Sequence, residues 1–228
     1  LFVCLKLLEA FHARGMQHVV LSPGSRSGPL ALAVGGMAQS GQITMTTAID
    51  ERSAAFLALG ISTATGKATA VVTTSGSAVA QLLPAALEAD RSCQPLIFLT
   101  ADRPYRLKDC GSNQTVNQEE FLLSVCRWVG EGPREGLHIL SEKKLVLLCE
   151  KAWSRAHCFP GPVHLNLPLE EPLHASISQQ EDLLFSCLSS SFKDKYSTHK
   201  ALRNIDCEVS KEFSFLDPFL PGVVVVGL

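Results

Sequence analysis

Two adjacent acids, Asp50 and Glu51, stand at the start of an otherwise apolar helical segment. Residues 43–47 are rich in β-branched side chains and predict a strand, so both acids fall where a strand is followed by a helix. Open α/β sheets bind their ligands at such strand ends, where a carboxyl group can transfer a proton. A structural interpretation also stays open, because acids in a first helical turn complement the helix dipole and Asp50 can serve as the N-cap.

Two arginines follow other predicted strands and are candidates for binding carboxylates. Arg26 lies among small residues in the segment 21–29, and Arg103 lies in a polar segment that begins at residue 101. A planar guanidinium matches a carboxylate, and a glycine- and serine-rich helix start attracts anions. The alternatives are a tight turn in which Arg26 meets only a surface acid, and a local ion pair between Arg103 and Asp102.

A third polar segment, Thr74-Ser75-Gly76, also follows a predicted strand. Its hydroxyls are expected to cap the next helix, and its small side chains leave room for a flat or charged ligand. The Gly-x-Ser-x-Gly pattern of hydrolases is not met around Ser75 or Ser77, so a hydrolase is disfavoured. A nucleotide-binding Rossmann domain is disfavoured as well, because no Gly-x-Gly-x-x-Gly follows a strand.

The elements that must position these residues alternate along the chain. Apolar periodicity predicts helices over about residues 2–14, 29–38, 51–65, 77–90 and 142–156, and strands over residues 18–21, 43–47, 68–74, 96–100 and 161–167. Alternating strands and helices predict an α/β fold with a parallel sheet flanked by helices on both faces.

Changes in amino-acid composition along the chain predict three regions. Residues 1–175 would form one domain, residues 176–221 are serine-rich and would form a linker with a short helix, and residues 222–228 would form the first strand of a further, truncated domain. The chain starts in helical pattern without a methionine and ends within that strand. We therefore expect it to be part of a longer protein.

Composition excludes several classes of function. The 228 residues include 20 basic and 22 acidic residues, and no dense basic run suggests a nucleic-acid surface. The eight cysteines form no Cys-x-x-Cys pair, which disfavours a zinc or redox motif. Apolar runs are too short to cross a bilayer, so we expect a globular protein without membrane contact.

Four motifs occur together in one order: Ser22-Pro-Gly-Ser-Arg-Ser27, Ile49-Asp-Glu-Arg52, Thr74-Ser-Gly76 and Leu99-Thr-Ala-Asp-Arg-Pro104. With Gly161–Pro168, they resemble the N-terminal pyrimidine-binding domain of the SEPHCHC synthases. These are 2-succinyl-5-enolpyruvyl-6-hydroxy-3-cyclohexene-1-carboxylate synthases of menaquinone and phylloquinone biosynthesis, which are transferases. The resemblance covers about residues 1–175 and implies the thiamine diphosphate-binding fold.

The resemblance implies roles for individual residues. Glu51 would be the catalytic acid, hydrogen-bonded to the pyrimidine ring of thiamine diphosphate, and Thr74, Ser75 and Gly76 would also contact the cofactor. Substrate contacts would come from Ser25, Arg26, Arg103, Asn113 and Gln114. Magnesium would bind to a Gly-Asp-Gly motif and an asparagine of a later domain, so no metal ligand is expected in this sequence.

The resemblance also implies an activity and partners. The substrates would be 2-oxoglutarate and isochorismate, and the site would be completed by a neighbouring subunit of a homodimer or homotetramer, so that this part alone would be inactive. The compartment would be the cytoplasm of a bacterium or the plastid of a plant or alga. Two alternatives stay open, namely a carboligase or decarboxylase of the acetolactate synthase type and a non-catalytic truncated module.

Overall fold

Six parallel strands form a single sheet in the order β2-β1-β3-β4-β6-β5 in a computed structural model that describes residues 1–108 and 110–196. The strands are β1 (His18–Leu21), β2 (Thr44–Thr47), β3 (Thr69–Thr73), β4 (Leu96–Asp102), β5 (Trp128–Glu131) and β6 (Pro162–Pro168). The predicted α/β class with a parallel sheet is confirmed.

Seven α-helices accompany the sheet in the part of the chain that the structure describes: α1 (Phe2–His12), α2 (Gly28–Gln39), α3 (Glu51–Thr65), α4 (Ser77–Ala80), α5 (Leu83–Arg91), α6 (Glu142–Cys158) and α7 (Ile177–Tyr196). One face of the sheet packs against the apolar side chains of α1, α2, α6 and α7. The other face packs against α3 and α5, where buried alanines such as Ala54, Ala58 and Ala85 allow close approach. Helices therefore flank both faces, as predicted.

Successive side chains of each strand belong alternately to two apolar cores, one on each face of the sheet. Val19 and Leu21 of β1 pack with the first group of helices, whereas Val20 between them packs with the second group. Successive side chains of a strand point to opposite faces, so strands buried on both faces become the continuous apolar runs that predicted them.

The expected single helix over residues 77–90 is wrong, because it is divided into α4 and α5. Gln81 and Leu82 keep helical backbone angles, but the run of helical hydrogen bonds is interrupted at these two residues and resumes with Pro84 in the first turn of α5. Proline lacks an N–H and is favoured at the start of a helix but not inside one. The short edge strand β5 was not predicted, since Trp-Val-Gly-Glu carries no clear alternation.

The first part of the expected linker is a long helix. Helix α7 packs against α2, where Leu183 and Cys187 are buried and a Cβ atom on Gly36 would lie 2.5 Å from Leu183. The boundary near residue 175 stays a prediction, although these contacts join the following helix to the same core. The expected strand at residues 222–228 lies outside the described residues. Within the described part of the chain, no helix is both long and apolar enough to span a bilayer.

The strand order reverses direction at β1 and β3, which lie side by side. From β1 the chain crosses to β2 on one side, whereas from β3 it proceeds to β4 on the other side. The loops at the carboxyl ends of such a neighbouring pair diverge and leave a crevice, which is where ligands bind in open α/β sheets. The segments that contain Arg26, Glu51, Ser75 and Arg103 all leave the sheet at this edge.

Candidate active site

The loops that follow the first three strands are in direct contact. The Ser22 hydroxyl donates to the Ile49 carbonyl over 3.1 Å, which joins the loop after β1 to the segment before Glu51. A Cβ atom on Gly24 would lie 2.5 Å from the Cβ of Thr74, so only glycine permits the loop after β1 to approach the loop after β3 this closely. The sequence-predicted segments thus form one continuous edge.

Asp50 and Glu51 have different surroundings although they are adjacent. Asp50 accepts a hydrogen bond from the backbone N–H of Ser53 at 2.8 Å, which lowers the pKa of its carboxyl group and confirms it as the N-cap of α3. The Glu51 side chain is half-buried at the first position of the helix and makes no hydrogen bond within residues 1–108 and 110–196. Its carboxylate is therefore available to a ligand.

Arg26 is buried beneath the end of β6. Its side chain is only 8% exposed, and its guanidinium donates to the Leu169 carbonyl at 3.1 Å and to the carboxylate of Glu171 at 3.3 Å. Glu171 is 62% exposed, so the alternative that Arg26 meets a surface acid is partly realised. The Nε atom of Arg26 is nevertheless buried and has no hydrogen-bond partner among the described residues. One donor of this guanidinium is thus left for a ligand.

Arg103 joins two other loops. Its guanidinium donates to the Ser75 hydroxyl at 2.7 Å and to the Gln114 carbonyl at 2.9 Å. The alternative of a local ion pair with Asp102 is wrong, since Asp102 instead accepts from the Arg103 backbone N–H. Burial, followed by the nearby positive charge of Arg26, lowers the pKa of Arg103. The two guanidinium groups therefore lie close enough for their charges to interact.

The hydroxyls after β3 do not cap a helix as expected. Gly76 occupies the N-cap position of α4, where no side-chain cap hydrogen bond forms, and Ser75 accepts from Arg103 instead. Thr74, Ser75 and Gly76 are buried, and Gly76 has a φ of +81°, which favours glycine. A Cβ atom at this position would lie 3.0 Å from the Cβ of Gln114.

The remaining predicted substrate contacts are exposed at the rim. Ser25 lies at the tip of the loop after β1, and Asn113 and Gln114 lie in the long loop after β4. Gln114 has a positive φ of 53°, an uncommon backbone conformation for a residue with a side chain. The structure thus brings Gln114 next to Ser75 and Gly76 and places Ser25 in the same loop as Arg26.

Sequence reasoning missed a group of buried polar residues beneath this edge. Asp102, Asn166, Gln118 and the side chain of Lys108 lie below the two loops that contain Ser75 and Arg103. A polar residue in an otherwise apolar strand, such as Asn166 in Pro162–Pro168, was the available signal. Buried polar side chains need partners, and such partners are often supplied at a functional edge.

The sequence matches the family described as thiamine pyrophosphate enzyme, N-terminal TPP binding domain, over residues 6–121. The chain belongs to this family. The match spans β1 to β4 and includes the segments that contain Arg26, Glu51, Ser75 and Arg103. The family assignment and the all-parallel sheet therefore agree on the same part of the molecule.

Named relatives are SEPHCHC synthases. The protein from Prochlorococcus marinus strain MIT 9313 is 59% identical over 222 residues, which are 93% of this chain and 37% of the relative. The protein from strain MIT 9303 is 61% identical over 218 residues, again 93% and 37%. The protein from Synechococcus sp. strain CC9902 is 55% identical over 217 residues, which are 93% of this chain and 38% of the relative. The chain thus spans less than two fifths of the length of these relatives.

Proposed function

We propose that this chain is the N-terminal part of a SEPHCHC synthase, which decarboxylates 2-oxoglutarate and adds the resulting four-carbon unit to isochorismate in menaquinone or phylloquinone biosynthesis. The observation that carries the proposal is the pair of guanidinium groups, Arg26 and Arg103, at the edge of the sheet that also presents Glu51. The names of the relatives support the same activity.

The charge at this edge favours a substrate with several carboxylates. Burial is the largest cause of the lowered pKa of Arg103, and the positive charge of Arg26 lowers it further, which means that the two cations repel each other in the free protein. An anion bound between them removes this repulsion, and a planar guanidinium binds a carboxylate through two parallel hydrogen bonds. Both 2-oxoglutarate and isochorismate have two carboxylates, so this part of the chain suits either substrate.

The residues present fit thiamine diphosphate at its pyrimidine end. Thr74–Gly76 are small residues at the sheet edge, and the Glu51 carboxylate has no hydrogen bond among the described residues and can accept or donate one to a ring nitrogen. When bound, the cofactor supplies the carbon nucleophile that permits loss of carbon dioxide from a 2-oxo acid. Glu51 would hold a proton on the ring nitrogen, and removal of water around it would strengthen that hydrogen bond.

The other wall of the site would come from outside this sequence. Glu51 is only half-buried here, and the neighbouring Ile49 is 87% exposed, so a covering surface is needed to exclude water. We propose that a diphosphate- and magnesium-binding domain of a second subunit supplies this surface in a homodimer or homotetramer. The protein would act in the cytoplasm of a bacterium or in the plastid of a plant or alga.

An acetolactate-type carboligase is the second candidate, because it would share Glu51. Its substrate, pyruvate, has one carboxylate and would leave one of the two guanidinium groups without an anion. The arginine pair therefore favours the dicarboxylate.

The test is an assay of the full-length protein with thiamine diphosphate and magnesium. Carbon dioxide release is measured from 2-oxoglutarate or from pyruvate, each with and without isochorismate. We expect release from 2-oxoglutarate, with product formation only when isochorismate is present. Turnover of pyruvate alone would favour the carboligase, and no turnover of either 2-oxo acid would favour a non-catalytic module.

A further inference from the structure

Polar side chains of β4 and β6 meet beneath the candidate active site. The strands pair in register, so that Thr100 lies beside Asn166 and Phe98 lies beside His164. Thr100, Asp102, His164 and Asn166 are completely buried. Burial of so many polar groups is unfavourable unless each of them is hydrogen-bonded, so their arrangement is determined by their partners.

Asn166 and Asp102 belong to a chain of three hydrogen bonds that all run in one direction. The Gly76 backbone N–H donates to Gln118 Oε1 at 2.8 Å, Gln118 Nε2 donates to Asn166 Oδ1 at 2.7 Å, and Asn166 Nδ2 donates to Asp102 Oδ2 at 2.8 Å. A carboxylate accepts but does not donate, which fixes the orientation of the Asn166 amide and, through it, that of Gln118. The Asp102 carboxylate therefore sets the donor-to-acceptor direction of all three hydrogen bonds.

The chain closes on itself through Arg103. The second oxygen of Asp102, Oδ1, accepts from the Arg103 backbone N–H at 2.7 Å, and the Arg103 guanidinium reaches Ser75, the neighbour of Gly76. We call this closed set the polar circuit, and its members are Ser75, Gly76, Arg103, Asp102, Asn166 and Gln118. It includes Ser75, Gly76 and Arg103, which the sequence predicts to contact cofactor or substrate.

Lys108 anchors the long loop to the polar circuit. Its side chain is 7% exposed and lies 3.0 Å from Asp102 Oδ2 and 3.2 Å from Glu119. The backbone carbonyl of Gln114, in the same loop, accepts a hydrogen bond from the Arg103 guanidinium, and Gln114 is within contact range of Gly76. A displacement of Gly76 would therefore move Gln114, and a displacement of Arg103 would release it.

We propose that Gln118 is a positioning residue, which through the polar circuit holds the cofactor loop at Ser75–Gly76 and the substrate residues Arg103 and Gln114 in one geometry before any ligand binds. The inference rests on the proposed function for the identity of the ligands. Preformed loops spare the protein the cost of ordering them on binding, so loss of Gln118 weakens binding even though its side chain touches no ligand.

Two variants of Gln118 separate this role from general stability. Gln118→Met keeps the length of the side chain but cannot accept from Gly76 or donate to Asn166. Gln118→Glu keeps the acceptor for Gly76 but, when ionised, cannot donate to Asn166 and places a carboxylate against its amide oxygen. The matched control is Val163→Ala, which removes buried volume from the same strand, three residues before Asn166 and outside the polar circuit.

The experiment uses the full-length protein and measures thiamine diphosphate binding by titration calorimetry in the presence of magnesium, together with KM and kcat for 2-oxoglutarate. We expect Gln118→Met to raise the dissociation constant and the KM about tenfold to hundredfold, because a buried N–H loses its partner. Gln118→Glu should have a defect that diminishes as the pH is lowered, since a protonated carboxyl group can donate again. Val163→Ala should reduce stability but leave both constants within about twofold.

The proposal is wrong if Gln118→Met and Gln118→Glu reduce stability as Val163→Ala does and leave the dissociation constant and KM unchanged. Should Gln118→Met fail to fold, Gln118→Glu decides by the pH dependence of its dissociation constant. Failure of the proposed function has a different signature. In that case the unaltered protein binds thiamine diphosphate but does not release carbon dioxide from 2-oxoglutarate, while the effect of Gln118 on cofactor binding persists.

Discussion

Glu51 and Arg103 lie at the same edge of one sheet but in opposite environments. Arg103 is part of a closed set of hydrogen bonds that ends on the buried carboxylate of Asp102. Glu51 lies beside the exposed edge strand β2, half-buried and without a hydrogen bond among the described residues. The side that contains Arg103 is thus closed by hydrogen bonds within this chain, whereas the side that contains Glu51 is open. Substitutions on the open side should therefore affect chemistry without affecting stability, whereas those on the closed side should affect stability as well as ligand binding.

The largest effect is expected on the open side. Glu51→Gln removes the ionisable group while keeping its size, and we expect turnover of 2-oxoglutarate by the full-length protein to fall about 10²- to 10⁴-fold. The fold should be unaffected, because no hydrogen bond of the described residues depends on this carboxylate. Steady-state assays and a thermal unfolding curve measure the two effects. Near-normal turnover would reject the assigned role.

On the closed side the main effect should be on stability. Asp102→Asn removes the negative charge beside Lys108 and leaves one acceptor oxygen where there were two. The Arg103 backbone N–H can keep its acceptor, but Lys108 and Asn166 then face an amide NH2 instead of Oδ2. We expect the free energy of unfolding of this chain to decrease by about 3 kcal/mol, because the buried Lys108 loses its fully buried counter-charge.

The control for this substitution is Glu119→Gln. Glu119 is the more exposed partner of Lys108, so its loss should decrease the free energy of unfolding by less than about 1 kcal/mol. Urea unfolding compares the two variants. Equal effects of the two would show that Asp102 does not anchor the loop.

The closed side should also be sensitive to acid through His164. This imidazole is hydrogen-bonded to Thr100, and burial lowers its pKa from 6.5 to about 3. Between these values the unfolded chain binds a proton that the folded chain does not, so stability decreases as the pH falls below about 6.5, by about 1.4 kcal/mol per pH unit. Urea unfolding at pH 7 and pH 5 measures this decrease.

A variant isolates the contribution of His164 from that of other histidines. His164→Gln should show a smaller decrease in stability between pH 7 and pH 5 than the unaltered chain, whereas His174→Gln, at an exposed position, should match it. If all three proteins respond equally to acid, His164 does not titrate as its burial implies.

The smallest effect is expected for Asp50, which lies next to Glu51. Asp50→Ala removes the cap of α3 and should lower the melting temperature by less than about 4 °C, while Asp50→Asn, which retains a capping oxygen, should leave it unchanged. Neither should approach the loss of turnover of Glu51→Gln. A comparable loss of turnover in Asp50→Asn would show that Asp50, and not Glu51, has the catalytic role.

Much of the fold could be predicted because its signals are local. The apolar runs of β1, β3 and β4, the cap at Asp50 and the helix of residues 51–65 depend on neighbours in the chain. The break between α4 and α5 also has a local signal, because Pro84 lacks the N–H that would continue the helix. Of the candidate site, the order of the four motifs indicated the family, which the match over residues 6–121 confirms.

The partners of individual side chains could not be predicted from the sequence. Arg103 was weighed against its neighbour Asp102, but its guanidinium binds Ser75, which is 28 residues away. Arg26 finds its carbonyl partner at Leu169, 143 residues away. Both contacts depend on which loops leave the same edge of the sheet.

The sequence by itself determined the alternation of strands and helices, the strand-end positions of Glu51, Arg26 and Arg103, and the family. Tertiary structure alone decided the strand order, which brings β3, β4 and β6 together and so joins Gly76, Gln118, Asn166 and Asp102. The physical reason is one of range. Helices, caps and buried strands follow from interactions between residues close in sequence, whereas a buried polar group obtains its partner only when distant strands have paired.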